Sequence, residues 1–143
     1  MILAGDNLID FPLYDVVSEQ ARKIHQPLFL VREIEGEIPP NRYSEVVLDS
    51  NDLVISIREK PDYPISQLSA ICAYLMPPDF PNLLNKYLNF GGKSDAPGHM
   101  MEWLVRERQC KAWNIPDGSF WDIGNLLSYE QSKLVNLKNT IFK

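Results

Sequence analysis

The chain has 143 residues, 45% of them hydrophobic and 23% charged, which is one domain's length with enough apolar material for a core of its own. Its net charge of −5 argues against duplex nucleic acid or an anionic membrane as partner, although one or two well-placed cations could still hold a small phosphorylated ligand. No apolar run approaches the roughly 20 residues of a transmembrane helix, and the start MILAG lacks the basic segment of a signal peptide.

Met1–Ala4 reads as a short buried strand that delivers Asp6 to a turn. Pro12 sits where the first turn of a helix tolerates proline. Leu13, Val16, Val17, Ala21 and Ile24 follow at helical spacing, predicting an amphipathic helix over 13–25. Leu28–Val31 is a compact apolar run of strand length, and the two prolines of EGEIPPNR (35–42) mark a loop. Strand-type residues at 44–49 and 53–58 flank Asp49-Ser50-Asn51-Asp52, the pattern of a β-hairpin. A further apolar strand is predicted at 69–76. Pro77, Pro78 and Pro81 form the next boundary, and Leu83, Leu84, Tyr87 and Leu88 a short helix.

The loop NFGGKSDAPG (89–98) leads to a helix with Asp95 as its expected N-cap and Pro97 in the first turn. Met100, Met101, Leu104 and Val105 form that helix's apolar stripe, with the methionines as core. Trp103 and Trp113 read as packing residues, and Trp121 as core beside an acid. Cys110–Ile115 is a strand, 119–124 an extended piece, and Ser128 with Gln131 has capping-box spacing for a C-terminal helix. Cys72 and Cys110, without metal-ligand spacing, read as buried thiols of a cytoplasmic protein. His25 and His99 stand too far apart to suggest zinc. Helices alternating with strands, interrupted by a hairpin, predict an α/β chain with a mixed sheet.

Ligands of open α/β sheets sit beyond the carboxyl ends of strands. Asp6, Lys60 and Asp122 each end an apolar segment and precede a turn. Two carboxylates from different strands can share one Mg²⁺, which keeps several waters and takes its remaining ligands from substrate phosphates. A lysine on the same rim offers a compact charge to a phosphate. Together these suit transfer at phosphorus, where positioning and charge neutralisation do most of the chemistry. Taken singly, each reads more readily as a turn acid or a solvated lysine, since surface acids and lysines are common.

Four segments in order resemble the second half of the sugar-phosphate nucleotidyltransferases, the glucose-1-phosphate thymidylyltransferase-like family: LAGDN (3–7), NRYSEVVLDSNDLVISIREKP (41–61), SDAPGHMMEWLV (94–105) and FWDIGNLLSYEQS (120–132). The resemblance implies a Rossmann-like nucleotidyltransferase domain with a mixed sheet and an inserted β-hairpin, spanning 1–143 as one unit. It implies a reaction in which a sugar 1-phosphate oxygen attacks the α-phosphorus of a nucleoside triphosphate and pyrophosphate leaves. Asp6 and Asp122 would hold the catalytic Mg²⁺. Lys60 would bind the sugar phosphate, Glu59 would accept hydrogen bonds from sugar hydroxyls, and Asn7 and Tyr43 would complete the substrate-binding set.

The resemblance departs at Ser44 and Cys72, where the family has glycine. Ser44, with Glu45 after it, and Cys72 are thus expected to crowd the sugar. The family's GGxGTR triphosphate loop has no counterpart here, so the chain is expected to be the C-terminal half of the domain. Three readings follow: a truncated or split piece that supplies metal and sugar-phosphate residues and is inactive alone; a non-catalytic interaction or regulatory module; or a remnant without activity. A homo-oligomer, or a complex with an N-terminal-half polypeptide through Met1–Ala4 and the helix at 13–25, is the expected assembly, because a cut sheet exposes edges and apolar faces.

Overall fold

The computed structural model of the chain describes residues 1–21 and 25–134. Among these, β1 (Ile2–Leu3), β3 (Leu28–Glu33), β4 (Ser44–Leu48), β5 (Val54–Arg58), β6 (Leu68–Leu75) and β7 (Lys111–Asn114) form one sheet, ordered β5-β4-β6-β3-β7 with β1 on β6. The β3–β7 pair is parallel and the other pairs are antiparallel, so the sheet is mixed as expected. A second, two-stranded ribbon joins β2 (Asn7–Ile9) to β8 (Phe120–Asp122).

The helices are α1 (Leu13–Ala21), α2 (Phe80–Asn89), α3 (Pro97–Glu107) and α4 (Leu126–Ser132). Ile24, expected to extend the first helix, lies outside the described residues. Pro81 does not precede α2 but occupies its first turn, where a missing N–H costs nothing. Asp95 does not cap α3: the N-cap is Ala96, without a side-chain bond, followed by Pro97. The C-terminal capping box is carried by Asn125 and Ser128 rather than Ser128 and Gln131, with Asn125 Oδ1 accepting the Ser128 N–H at 2.9 Å.

Both faces of the sheet are covered. On one, Phe29, Val31, Val46 and Ile57 pack with Met100, Met101 and Leu104 of α3. On the other, Leu28, Leu30, Ile71 and Ala73 pack with Phe11 and Val16. Strands buried on both faces read as continuous apolar runs, which explains LFLV in β3 and AICAYL in β6. Trp113 rests on Phe11 and Trp103 on Tyr87. Both cysteines are free thiols. Among the described residues no helix is long and apolar enough to cross a membrane.

The sheet's irregularity lies in β6. Its register against β3 shifts between Phe29 and Val31, and Cys72 opposite this shift has φ 53°. A left-handed backbone favours glycine, because a Cβ there crowds the following carbonyl. β6 pairs with β4 up to Ala70 and with β1 from Ala73. The bulge therefore marks the point where one side of β6 passes from one neighbour to the next.

Candidate functional site

At that bulge a cleft of about 350 Å³ opens. Asp6, Asn7, Tyr43, Glu59, Lys60 and Asp122, the six residues singled out from the sequence, all line it. They arrive from four separate places in the fold, and the local reasons differ.

One rim is the β2–β8 ribbon. Asn7 faces Asp122 in register, and the Ile123 N–H donates to the Asp6 carbonyl at 2.8 Å. These bonds bring the two acids together at the ribbon's end. Gly124 fills the angle between them: a Cβ there would lie 3.0 Å from Asp122 Oδ1 and 3.3 Å from Asp6 Oδ2. The Gly124 N–H donates to Asp122 Oδ1 at 2.9 Å, closing a turn that aims the side chain. Both acids are exposed. Asn7 is anchored by donating its amide to the Ile71 carbonyl of β6.

The other rim comes from the β4–β5 hairpin and α3. Glu59 follows β5 directly. Its carboxylate accepts the Ser44 hydroxyl, its backbone N–H donates to Glu102 Oε1 at 2.6 Å, and its Oε1 lies 3.9 Å from Lys60 Nζ. Gly98, in the first turn of α3, makes room for it, since any Cβ there would overlap the Glu59 carboxylate. Lys60, exposed, turns the chain out of β5 with φ 47°.

Ser44 and Cys72 also line the cleft. Burial pushes the Cys72 thiol up from its ordinary range, and the carboxylates of Glu59 and Asp6 add to this, so it sits there as a neutral group rather than a thiolate nucleophile. The expectation for Glu45 fails. Neighbours on a strand face opposite ways, so with Ser44 in the cleft Glu45 is directed away from it. There Glu45 is buried, pairs with Arg58 and accepts the N–H groups of Ile65 and Ser66.

Among the cations of the cleft, Arg32 and Arg42 escaped the sequence reading, and Asp95, read only as a helix cap, lines the cleft as well. The signal was available for Arg32, which ends the apolar run LFLVR just as Lys60 ends its own strand. Arg32 lies over the rings of Tyr43 and Phe120, at 5.4 and 4.9 Å from their centroids.

The nucleotidyl transferase family model matches residues 1–138. The chain belongs to that family. Two solved structures share the nucleotidyltransferase's fold. One is described as a glucose-1-phosphate thymidylyltransferase from Bacillus anthracis in complex with a sucrose, with TM-score 0.73 and 18% identity, covering 94% of this chain and 54% of that one. The other is a UTP-bound UGPase from Acinetobacter baumannii, with TM-score 0.68 and 19% identity, covering 91% of this chain and 47% of that one. This nucleotidyltransferase chain therefore spans about half the length of each. At such identities the likeness speaks for the fold, which is Rossmann-like and mixed α/β as the sequence implied. No curated protein matches the chain.

Proposed function

We propose that this chain carries the metal-binding and acceptor-binding side of a sugar-1-phosphate nucleotidyltransferase. The observation that carries the reading is the meeting of Asp6 and Asp122 around Gly124 on one rim, facing Glu59 and Lys60 on the other. The donors fit magnesium: among the described residues no group of three or more His, Cys, Asp or Glu forms a protein-only metal site, and a hard cation that keeps waters and takes phosphate oxygens needs only one or two carboxylates. Bound there, magnesium would supply charge neutralisation to the phosphates.

The remaining work falls to the chain's own side chains. Lys60 sets the acceptor phosphate by charge. Glu59, immobilised by Ser44 and the backbone bond to Glu102, accepts from acceptor hydroxyls. Asn7 and Tyr43 line the path between the rims. The acceptor phosphate oxygen then forms the new bond to the α-phosphorus as the bond to pyrophosphate breaks. A glycine-rich GGxGTR run to hold the triphosphate does not occur in this sequence, and such positioning is worth several kcal/mol of a barrier. The 143 residues by themselves are therefore expected to bind acceptor without turning it over.

The test is calorimetric titration of the chain with glucose 1-phosphate in Mg²⁺. Weak, Mg²⁺-dependent binding should fall at least about tenfold in Asp122→Ala and in Lys60→Ala, the scale of one lost charge-assisted contact. Binding untouched by either change, or robust pyrophosphate release by the chain alone, would sink the reading.

A non-catalytic module is the second reading, favoured by Ser44 and Cys72: the Ser44 hydroxyl already occupies a Glu59 oxygen, and a thiol stands beside the acids. For either reading we propose assembly through β1, where Met1 is 61% and Leu3 42% exposed. Sedimentation showing only monomer at high concentration would remove that proposal.

A further inference from the structure

Arg32 is a half-buried cleft residue set against two aromatic rings, with no hydrogen bond to another described residue. It is half-buried near the end of β3, opposite Ser69 of β6. Its guanidinium is placed by the rings of Tyr43 and Phe120, and Arg42 lies 5.1 Å from the Tyr43 ring centroid. Ring contacts engage the faces of a guanidinium, whereas its five N–H donors point outward in its plane. Among the described residues no carboxylate or carbonyl pairs with Arg32, although it has only these ring contacts. Arg58 and Arg108, by contrast, are both matched to acids. A partly buried arginine without an acid is costly to keep, and a planar fork fixed by aromatic rings is preorganised for an oxyanion.

The position of Arg32 matters as much as its freedom. Phe120 and Asp122 are alternate residues of β8 and so share a face, while Tyr43 directly precedes β4, so the two rings set Arg32 between the ribbon rim and the hairpin rim. Lys60 belongs to the hairpin rim, beside Glu59. The cleft presents three cations, Arg32, Arg42 and Lys60. Arg42 and Lys60 are exposed, whereas Arg32 is half-buried against two rings, and a ligand with a single phosphate on Lys60 leaves Arg32 unmet. We propose that the acceptor of this protein is a doubly anionic sugar phosphate, whose second oxyanion, a carboxylate or another phosphate, is gripped by Arg32. This rests on the function proposed above and narrows it. Arg32 is then a specificity-determining residue: it rewards an acidic acceptor over a neutral one.

The experiment is parallel titration of the chain in Mg²⁺ with glucose 1-phosphate, glucuronic acid 1-phosphate and glucose 1,6-bisphosphate, read as ratios of affinity. At least one doubly anionic ligand should bind about tenfold or more tightly than glucose 1-phosphate, the value of one charge-assisted pair. Preference for the uronic acid identifies a carboxylate, and preference for the bisphosphate a second phosphate. Arg32→Gln should bring the preferred ratio close to one. Arg32→Lys, which keeps the charge and the stem between the rings, should retain part of it and guards against a folding defect. Equal affinity for all three ligands, or a ratio unchanged in Arg32→Gln, overturns the inference while leaving the proposed function standing. Equal weakening of all three by Arg32→Gln also overturns it, since Arg32 would then hold the shared 1-phosphate. If none of the three binds, the proposed function falls and the inference with it.

Discussion

The two rims of the cleft are built to different standards. The hairpin rim is tied into the main sheet and to α3: Glu59 is fixed by Ser44, Glu102 and Gly98, and the strand behind it is locked by the pair of buried Glu45 with half-exposed Arg58. The ribbon rim is two short strands carrying exposed acids, with α4 beyond them showing Leu126 and Leu127 at 76% and 70% exposure. Where a group must meet a sugar at fixed hydroxyls, rigidity is useful. Where acids must gather around an ion whose remaining ligands arrive with substrate, a lighter frame suffices. The difference teaches that the acceptor side can be preformed while the metal side is completed by what binds.

The sharpest way to break this contrast is at Glu45. Its removal in Glu45→Ala leaves Arg58 and the Ile65 and Ser66 N–H groups without their partner. A loss of about 2 kcal/mol is expected in urea unfolding, the scale of leaving buried N–H groups unsatisfied, with the half-exposed arginine re-solvated. Burial pushes the Glu45 carboxyl up, but the Ile65 N–H, Arg58 and the Ser66 N–H outweigh it, and its pKa falls below the usual 4.5. A depressed folded pKa means that stability is fully present above the unfolded value and lost as pH falls through the folded one. Wild-type protein should thus weaken below about pH 4.5 more steeply than Glu45→Gln. A shared acid profile for both would show that Glu45 is not the anchor.

Gly98→Ala comes next. The new methyl must push the Glu59 carboxylate aside, and Glu59 is not free to yield. Acceptor affinity should drop about tenfold, the value of one good charge-assisted contact, with thermal stability reduced by only about 1 kcal/mol. The equivalent change on the ribbon rim, Gly124→Ala, meets acid oxygens at 3.0 and 3.3 Å and should weaken Mg²⁺-dependent binding less. Equal losses from the two would erase the distinction between a rigid and a yielding rim.

The smallest expected effect lies at Cys72, between the rims. Cys72→Gly relieves a positive φ and should raise stability by up to about 1 kcal/mol, because the strain released is partly offset by lost packing and a freer unfolded chain. It should also enlarge the cleft and improve binding of a neutral sugar phosphate. A destabilised variant would mean that the thiol's packing outweighs its backbone strain.

Much of this was legible because the chemistry is local. An Asp/Ser/Asn cluster between strand-type residues announced the hairpin, and acids at strand ends announced the ribbon rim. β2 went unread because three residues carry no period of their own and become a strand only by meeting β8. The cap at Asn125 was missed because capping is a matter of backbone geometry, and Ser128–Gln131 has the same spacing as Asn125–Ser128. Glu45 was misplaced because its adjacency to Ser44 in sequence was taken as adjacency in space, which a strand forbids. Arg32 carried the same strand-end signal as Lys60, but what holds it in the cleft, the rings of Tyr43 and Phe120, comes from distant segments.

The long strand β6 pairs with β1, β3 and β4, and this has a consequence for how the chain emerges from the ribosome. Before residue 75 is synthesised, the β4–β5 hairpin can close from local contacts, but β1 and β3 have no partner to receive them. Pairing across such separations must first overcome loop-closure entropy and is slow. The ribbon waits longer still, because Asn7 meets Asp122 only once residue 122 is out. During translation the acceptor rim can therefore take shape first, and the two acids meet last.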